Sequence, residues 1–189
     1  MSVFIPTIDF QGYDEQDDAA LEDLANQVSR ALTRSGFMRI MNLGIASAQV
    51  DHVFALSKWF FSLSEEQKLT SAYTSAVENF GYQSLGVEHL NPSKPADLKQ
   101  TFTLRNLLRH DKDDPRWPKP EFRDQSTDFY KACLEGAHRI QRVLSKALGV
   151  EQDFFVQYHQ GENVSLRLLY YPSSGCLLYT SDAADDSLR

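Results

Sequence analysis

Only two cysteines, Cys133 and Cys176, occur among 189 residues; that is too few for a disulfide framework, and reduced thiols suit the cytosol. No apolar run approaches the roughly 20 residues that a membrane-spanning helix needs. The opening Met1-Ser2-Val3-Phe4-Ile5-Pro6 has neither the basic start nor the long apolar core of a secretory signal. Positive charge is also in deficit, with 19 Lys and Arg against 26 Asp and Glu for a formal charge of −7. That balance argues against binding nucleic acid through a general basic surface, which rests on neutralising phosphates. A small anionic ligand needs only one or two local cations and is not excluded. The expectations are a soluble cytoplasmic protein without nucleic-acid or membrane partners.

What is present is globular: 42% of residues are hydrophobic and 12% aromatic, enough for one domain with a real core. Phe4-Ile5-Pro6-Thr7-Ile8-Asp9-Phe10 alternates as a short strand, which Pro6 places at a sheet edge or strand start. The acidic stretch Asp14 to Asp18 opens a helix whose apolar residues Leu21, Leu24, Ala25, Val28, Ala31 and Leu32 repeat at three and four. Ser35-Gly36 stops it. A second strand over residues 37–41 follows, then a helix from about Ser47 to Phe61 expected to bury Val50, Val53, Phe54, Trp59 and Phe60. Ser64-Glu65-Glu66-Gln67 has capping-box spacing and marks a third, short helix.

From Tyr73 to Asp114 the pattern is weak, with short strands at Gly81-Tyr82 and at residues 100–104. The proline-rich residues 115–120 predict an extended linker. A long helix from about Ser126 to Leu148 follows, with Phe129, Cys133, Ala137, Ile140, Leu144 and Leu148 as its apolar stripe and Gly149 as its stop. A helical turn over Gln152 to Gln157 leads to the strand 164–171. There the period of two sends Ser165, Arg167, Leu169 and Tyr171 to one side and Leu166, Leu168 and Tyr170 to the other. The mixed face either lines a pocket or is the solvated side of an edge strand. Pro172 ends the ladder.

Several stretches resemble the non-haem iron dioxygenases of the isopenicillin N synthase type, most of which use 2-oxoglutarate. Ile5-Pro6-Thr7-Ile8-Asp9-Phe10 resembles the family's I-P-x-I-D-F/L. Residues 35–45 are similar to its G-F-F…N-H-G-I, with Leu43 where the histidine usually stands. Residues 59–68 resemble F-F-x-L-P-x-E-x-K, and Leu166-Arg167-Leu168-Leu169-Tyr170-Tyr171-Pro172 resembles the L-R-x-x-x-Y-P strand. Asp97-Leu98-Lys99-Gln100-Thr101-Phe102 is similar to its D-x-K-E-x-F segment. The resemblance implies an α+β fold, in which the helical N-terminal region precedes the first strands of an incomplete double-stranded β-helix (jelly roll). It also implies Fe(II) and 2-oxoglutarate as cofactors of the parent, which would hydroxylate or desaturate a small molecule with O₂.

In the family, iron sits on a His-x-Asp…His triad, which leaves positions open for a bidentate 2-oxo acid and O₂. None of the five histidines, His52, His89, His110, His138 and His159, has Asp or Glu two residues on. The nearest miss is His110-Asp111-Lys112-Asp113. No metal or catalytic residue is therefore assigned, and no cofactor is expected to bind this chain tightly. Substrate or cosubstrate binding is assigned by the resemblance to Tyr171, Arg167 and Ser165. A cation at Arg167 would hold a carboxylate in a bidentate pair, or else form a structural salt bridge with an acid such as Glu162.

Residues 173–189 depart from the family. Cys176-Leu177-Leu178-Tyr179-Thr180-Ser181-Asp182 resembles a translated sequencing adapter, the alternative being a genuine short C-terminus. The expected organisation is a dioxygenase N-terminal region over 1–120, the long helix and first jelly-roll strand over 121–172, and a non-native tail over 173–189. Two functions stay open: an inactive fragment of an Fe(II) and 2-oxoglutarate dependent oxygenase, or a non-catalytic binding module on the same scaffold. Uncovered strands predict self-association.

Overall fold

The computed structural model describes residues 4–88, 97–105, 107, 113–160 and 164–172. A short strand β1 (Thr7–Asp9) leads through helix α1 (Asp18–Arg34) to β2 (Arg39–Met41). The strands pair in parallel with Ile8 opposite Ile40, as they must when a helix forms the crossover. β1 is shorter than the alternation suggests. Phe4 and Ile5 stay exposed, while pairing extends past both ends through Arg39 N–H to Pro6 O and Phe10 N–H to Met41 O, both 2.9 Å.

Helix α1 starts where its acids allow. The Asp17 carboxylate accepts from the N–H groups of Ala19 and Ala20 at 3.0 and 3.1 Å, satisfying two of the donors left open at a helix start. At the other end Gly36, at φ +71°, turns back so that its N–H reaches Leu32 O at 3.1 Å. Leu21, Leu24, Ala25, Val28 and Ala31 bury against Ile8, Phe10 and Val143. Leu32, counted with the same stripe, is exposed.

Helix α2 (Ser47–Ser62) and the single-turn α3 (Glu65–Leu69) follow. The predicted capping box is present: Ser64 Oγ accepts from Gln67 N–H at 3.3 Å, and Gln67 Oε1 accepts from Ser64 N–H at 3.1 Å. The buried face of α2 is Val53, Leu56, Phe60 and Phe61. Phe54 points to solvent, contrary to expectation, because it follows Val53 by one residue and so lies about 100° further round the helix.

Helix α4 (Pro120–Leu148) begins six residues before the expected Ser126. Pro120 takes the first helical position, where its missing N–H is no loss, so the supposed linker ends at Lys119. Its buried line is also displaced. Phe122, Ser126, Tyr130 and Leu134 are buried, whereas Phe129, Cys133, Ala137, Ile140 and Leu144 are only partly so and Leu148 is exposed. The helix serves two cores. Its first half packs on the cluster around Phe60 and its second half, through Val143, on the α1 cluster, so no single stripe describes it. In place of the expected helical turn at 152–157, turns lead into one 3₁₀ turn, Val156–Tyr158.

A three-stranded antiparallel sheet completes the architecture in the order β3 (Gly81–Gln83), β4 (Gln100–Arg105), β5 (Ser165–Tyr170). Tyr82, Phe102, Leu104 and Leu168 face the helices in one aromatic core with Phe60, Phe80 and Phe122. The Tyr130 hydroxyl donates to Val164 O at 3.1 Å, fastening the start of β5 to α4. The result is the mixed helix and sheet fold expected, with few strands.

Candidate functional site

The sheet has two unlike sides. Along β5, Leu168 is buried, Leu166 packs on the aromatic core, and Tyr170 stacks on Phe61 with ring centres 5.5 Å apart. Ser165, Arg167, Leu169 and Tyr171 take the opposite side, and Leu169 and Tyr171 are exposed. Register sets Thr103 beside Arg167 and Thr101 beside Leu169. The Thr101 hydroxyl donates to Gln83 Oε1 on β3 at 3.3 Å. Lys99, one residue before β4, shares the parity of Thr101 and Thr103. The three residues picked from the sequence, Ser165, Arg167 and Tyr171, therefore do share one polar face.

Arg167 is already engaged on it. Its Nη2 lies 2.8 Å from both carboxylate oxygens of Glu88. Lys99 Nζ lies 3.1 Å from Glu88 and 2.7 Å from Asp97. Hydrogen bonds from Arg167, and then from Lys99, hold the Glu88 carboxyl below the usual carboxylate range against the opposing effect of burial. Asp97 and then Glu88 hold the Lys99 ammonium above its ordinary value, again against burial. The salt bridge weighed for Arg167 exists, but its partner is Glu88; Glu162 lies outside the described residues. Nothing local marks Glu88, which sits 79 residues from Arg167 in a stretch without periodicity. Asp97 and Lys99 lie in the D-x-K-E-x-F-like segment, where they had no assigned role.

A second polar cluster lies at the helix side. Lys68, 5% exposed, donates to Gln100 Oε1 at 2.9 Å and pairs with Glu65 at 3.0 Å. The Tyr82 hydroxyl reaches the same Gln100 oxygen and the Glu65 carboxylate, each at 3.0 Å. Burial, with the Glu65 charge beside it, pushes the Tyr82 phenol well up. Here two family-like segments meet, and Gln100 stands where the family segment has Glu. A buried lysine paired in this way ties α3 to β3 and β4.

The imidazoles of His138 and His159 face backbone carbonyls. His138 Nε2 lies 2.8 Å from His159 O, and His159 Nδ1 lies 2.8 Å from Phe155 O. A carbonyl only accepts, so each of these nitrogens carries its hydrogen and faces backbone. His52 is exposed on α2; His89 and His110 lie outside the described residues. Among the described residues no group of three or more His, Cys, Asp or Glu side chains is placed to hold a metal ion. These donors do not fit a two-imidazole, one-carboxylate iron centre.

The model of the non-haem dioxygenase N-terminal region, named for morphine synthesis, matches residues 5–125. A 2-oxoglutarate-Fe(II) type oxidoreductase of Emericella nidulans is 28% identical over 183 residues, covering 89% of this chain and 52% of that protein. Jasmonate-induced oxygenase 2 of Arabidopsis thaliana is 30% identical over 174 residues, covering 89% and 46% respectively. Among solved structures, JOX2 in complex with 2OG, Fe and JA superposes with a TM-score of 0.69 at 31% identity, covering 90% of this chain and 48% of that one. Neurospora crassa T7H in complex with alpha-KG gives 0.71 at 25%, covering 89% and 54%. The chain spans about half the length of the curated relatives it matches. With the family model spanning well over half of its residues, the chain belongs to the non-haem dioxygenases, as their N-terminal region, and the relatives it matches are named as 2-oxoglutarate and Fe(II) dependent enzymes.

Proposed function

We propose that this chain is the N-terminal region and opening jelly-roll strands of an Fe(II) and 2-oxoglutarate dependent dioxygenase that hydroxylates or desaturates a small molecule, and that alone it does not turn over. The observation that carries this reading is the polar face of β5, where Ser165, Arg167 and Tyr171 lie together on the strand similar to the family's L-R-x-x-x-Y-P. They form the substrate or cosubstrate side of the pocket, with residues 1–120 as the supporting N-terminal region, 121–172 as the start of the catalytic domain and 173–189 as a tail outside it. The parent protein works in the cytoplasm. Support comes from the family match over residues 5–125, from relatives of about twice this length named for 2-oxoglutarate and iron, and from the lack of any His-x-Asp in the sequence.

Two measurements test it. Sequencing the source locus past the codon for Pro172 is expected to show a continuing frame with a His-x-Asp; a stop directly after Arg189 in the genome would instead favour a non-catalytic binding module. Anaerobic titration of this chain with Fe(II) and 2-oxoglutarate is expected to show no metal-to-ligand charge-transfer band. Appearance of that band would overturn the prediction of an inactive chain.

A further inference from the structure

Helix α1 ends with two arginines one turn apart, and the residues around them enclose space. A cavity of about 450 Å³ opens between β1 and the last turns of α1, within the range that small-molecule sites occupy. Its floor is apolar: Ile8 and Ala31 are buried beneath it, and Phe4 and Pro6 line it as well. Arg30 and Arg34 line it from the helix. Residues four apart on a helix lie one above the other on a single face, so both guanidinium groups reach the same space.

Two like charges in that relation repel and cost helix stability. No acid among the described residues pairs with either of them. The acids of β1 and of this face of α1 are committed elsewhere, Asp9 accepting from Asn42 Nδ2 at 2.7 Å and Asp23 from Gln27 Nε2 at 2.8 Å. The residues before Phe4, which are Met1, Ser2 and Val3, carry no carboxylate. Arg34, in the last turn, suits the negative end of the helix. Arg30, a turn earlier, has no such reason to be there, and the carbonyls of Ala31 and Leu32 already accept from the N–H groups of Ser35 and Gly36. β1 meanwhile pairs only with β2 among the described residues. Arg39 N–H reaches Pro6 O on that edge, so the backbone N–H of Thr7 faces the opposite edge and adds a donor where Thr7 lines the cavity.

We propose that this cavity binds a small phosphomonoester, with the phosphate held by Arg30 and Arg34 and the apolar body resting on Pro6, Ile8 and Ala31. A phosphate monoester carries about −1.5 to −2 charges at neutral pH, which matches both cations. A single carboxylate would leave one of them unmatched. The guanidinium fork also meets phosphate oxygens in bidentate fashion. The apolar floor then selects among phosphates: inorganic phosphate gains the ion pairs alone, while a ligand with an aromatic or aliphatic body gains burial as well. None of these residues belongs to the β3-β4-β5 sheet, so the site is distinct from the polar face of β5 and independent of the dioxygenase reading.

Ligand-observed NMR on the 189-residue chain at low salt, with no metal present, tests this with 1-naphthyl phosphate as the probe. Inorganic phosphate and 1-naphthol are the controls. Saturable binding, tighter than that of either control, is expected. Arg30→Gln and Arg34→Gln are each expected to weaken it about tenfold, the scale of one charge-assisted contact, and the double variant to abolish it. Lys58→Gln removes the same charge from the exposed side of α2 and is expected to leave the affinity unchanged. Arg30, Arg34 and Lys58 are all exposed, so these variants keep the fold, which thermal melts verify. Absence of saturable binding, equal affinity for inorganic phosphate, binding that survives loss of both arginines, or a loss in Lys58→Gln as large as theirs would each overturn the proposal.

Discussion

Phe60 joins four elements of the aromatic core. It is fully buried, with ring centres of Phe61, Tyr82, Phe102 and Phe122 at 5.3, 5.6, 5.0 and 5.5 Å, so it touches α2, β3, β4 and α4 at once. Phe60→Ala removes those contacts and leaves a cavity, at a cost of about 3–5 kcal/mol; denaturant unfolding should show it, and a loss under about 1 kcal/mol would place the core elsewhere. Gly81 is constrained differently. It sits at φ +113°, and a Cβ there would lie 2.6 Å from Ser71 O and 3.0 Å from Ala72 backbone. Gly81→Ala is therefore expected to cost about 1–3 kcal/mol through backbone strain alone, with the neighbouring backbone displaced as well; a variant as stable as the parent would contradict that geometry.

Among the elements, the junction of β4 and β5 responds to pH. The Glu88 carboxyl titrates below its ordinary value because Arg167 and Lys99 favour the charged form. A carboxyl depressed in the folded state contributes its stability in full above the unfolded value of about 4.3 and loses it as pH falls through the lower, folded value. The difference in melting temperature between the unaltered chain and Glu88→Gln should accordingly be widest above the unfolded carboxyl value and close as pH falls through the lower, folded one. A difference that does not change with pH would mean that the clasp contributes nothing to the fold. At the other side of the same sheet, Lys68, Glu65, Tyr82 and Gln100 make a tie that is bonded throughout, and β4 is consequently held from both faces.

For the whole molecule the exposed end of the sheet matters most. Among the described residues β5 is the outermost strand in the order β3-β4-β5, and Leu169, Tyr170 and Tyr171 are exposed on or just after it. An open edge beside apolar side chains is a template for pairing with another chain. Sedimentation of the isolated chain is expected to give species heavier than 21.5 kDa or poor solubility. A monodisperse, cooperatively melting monomer of that mass would refute the expectation.

Much was legible from residues alone, because some choices are local. The Ser64–Gln67 box, the stop at Gly149 and the buried face of α1 depend on neighbours within a turn or two, and periodicity reports them. The alternation along β5 put Ser165, Arg167 and Tyr171 on one side for the same reason, since a strand has only two faces. The family likeness was carried by short motifs whose order survives in the chain. What required the tertiary structure was everything that depends on which surfaces meet. The buried line of α4 differs from its apolar stripe because two cores press on it from different directions, and Phe54 is exposed because it lies about 100° round α2 from the buried Val53. The engagement of Arg167 by Glu88 joins residues 79 apart, and no periodicity along a chain encodes a partner brought near only by folding.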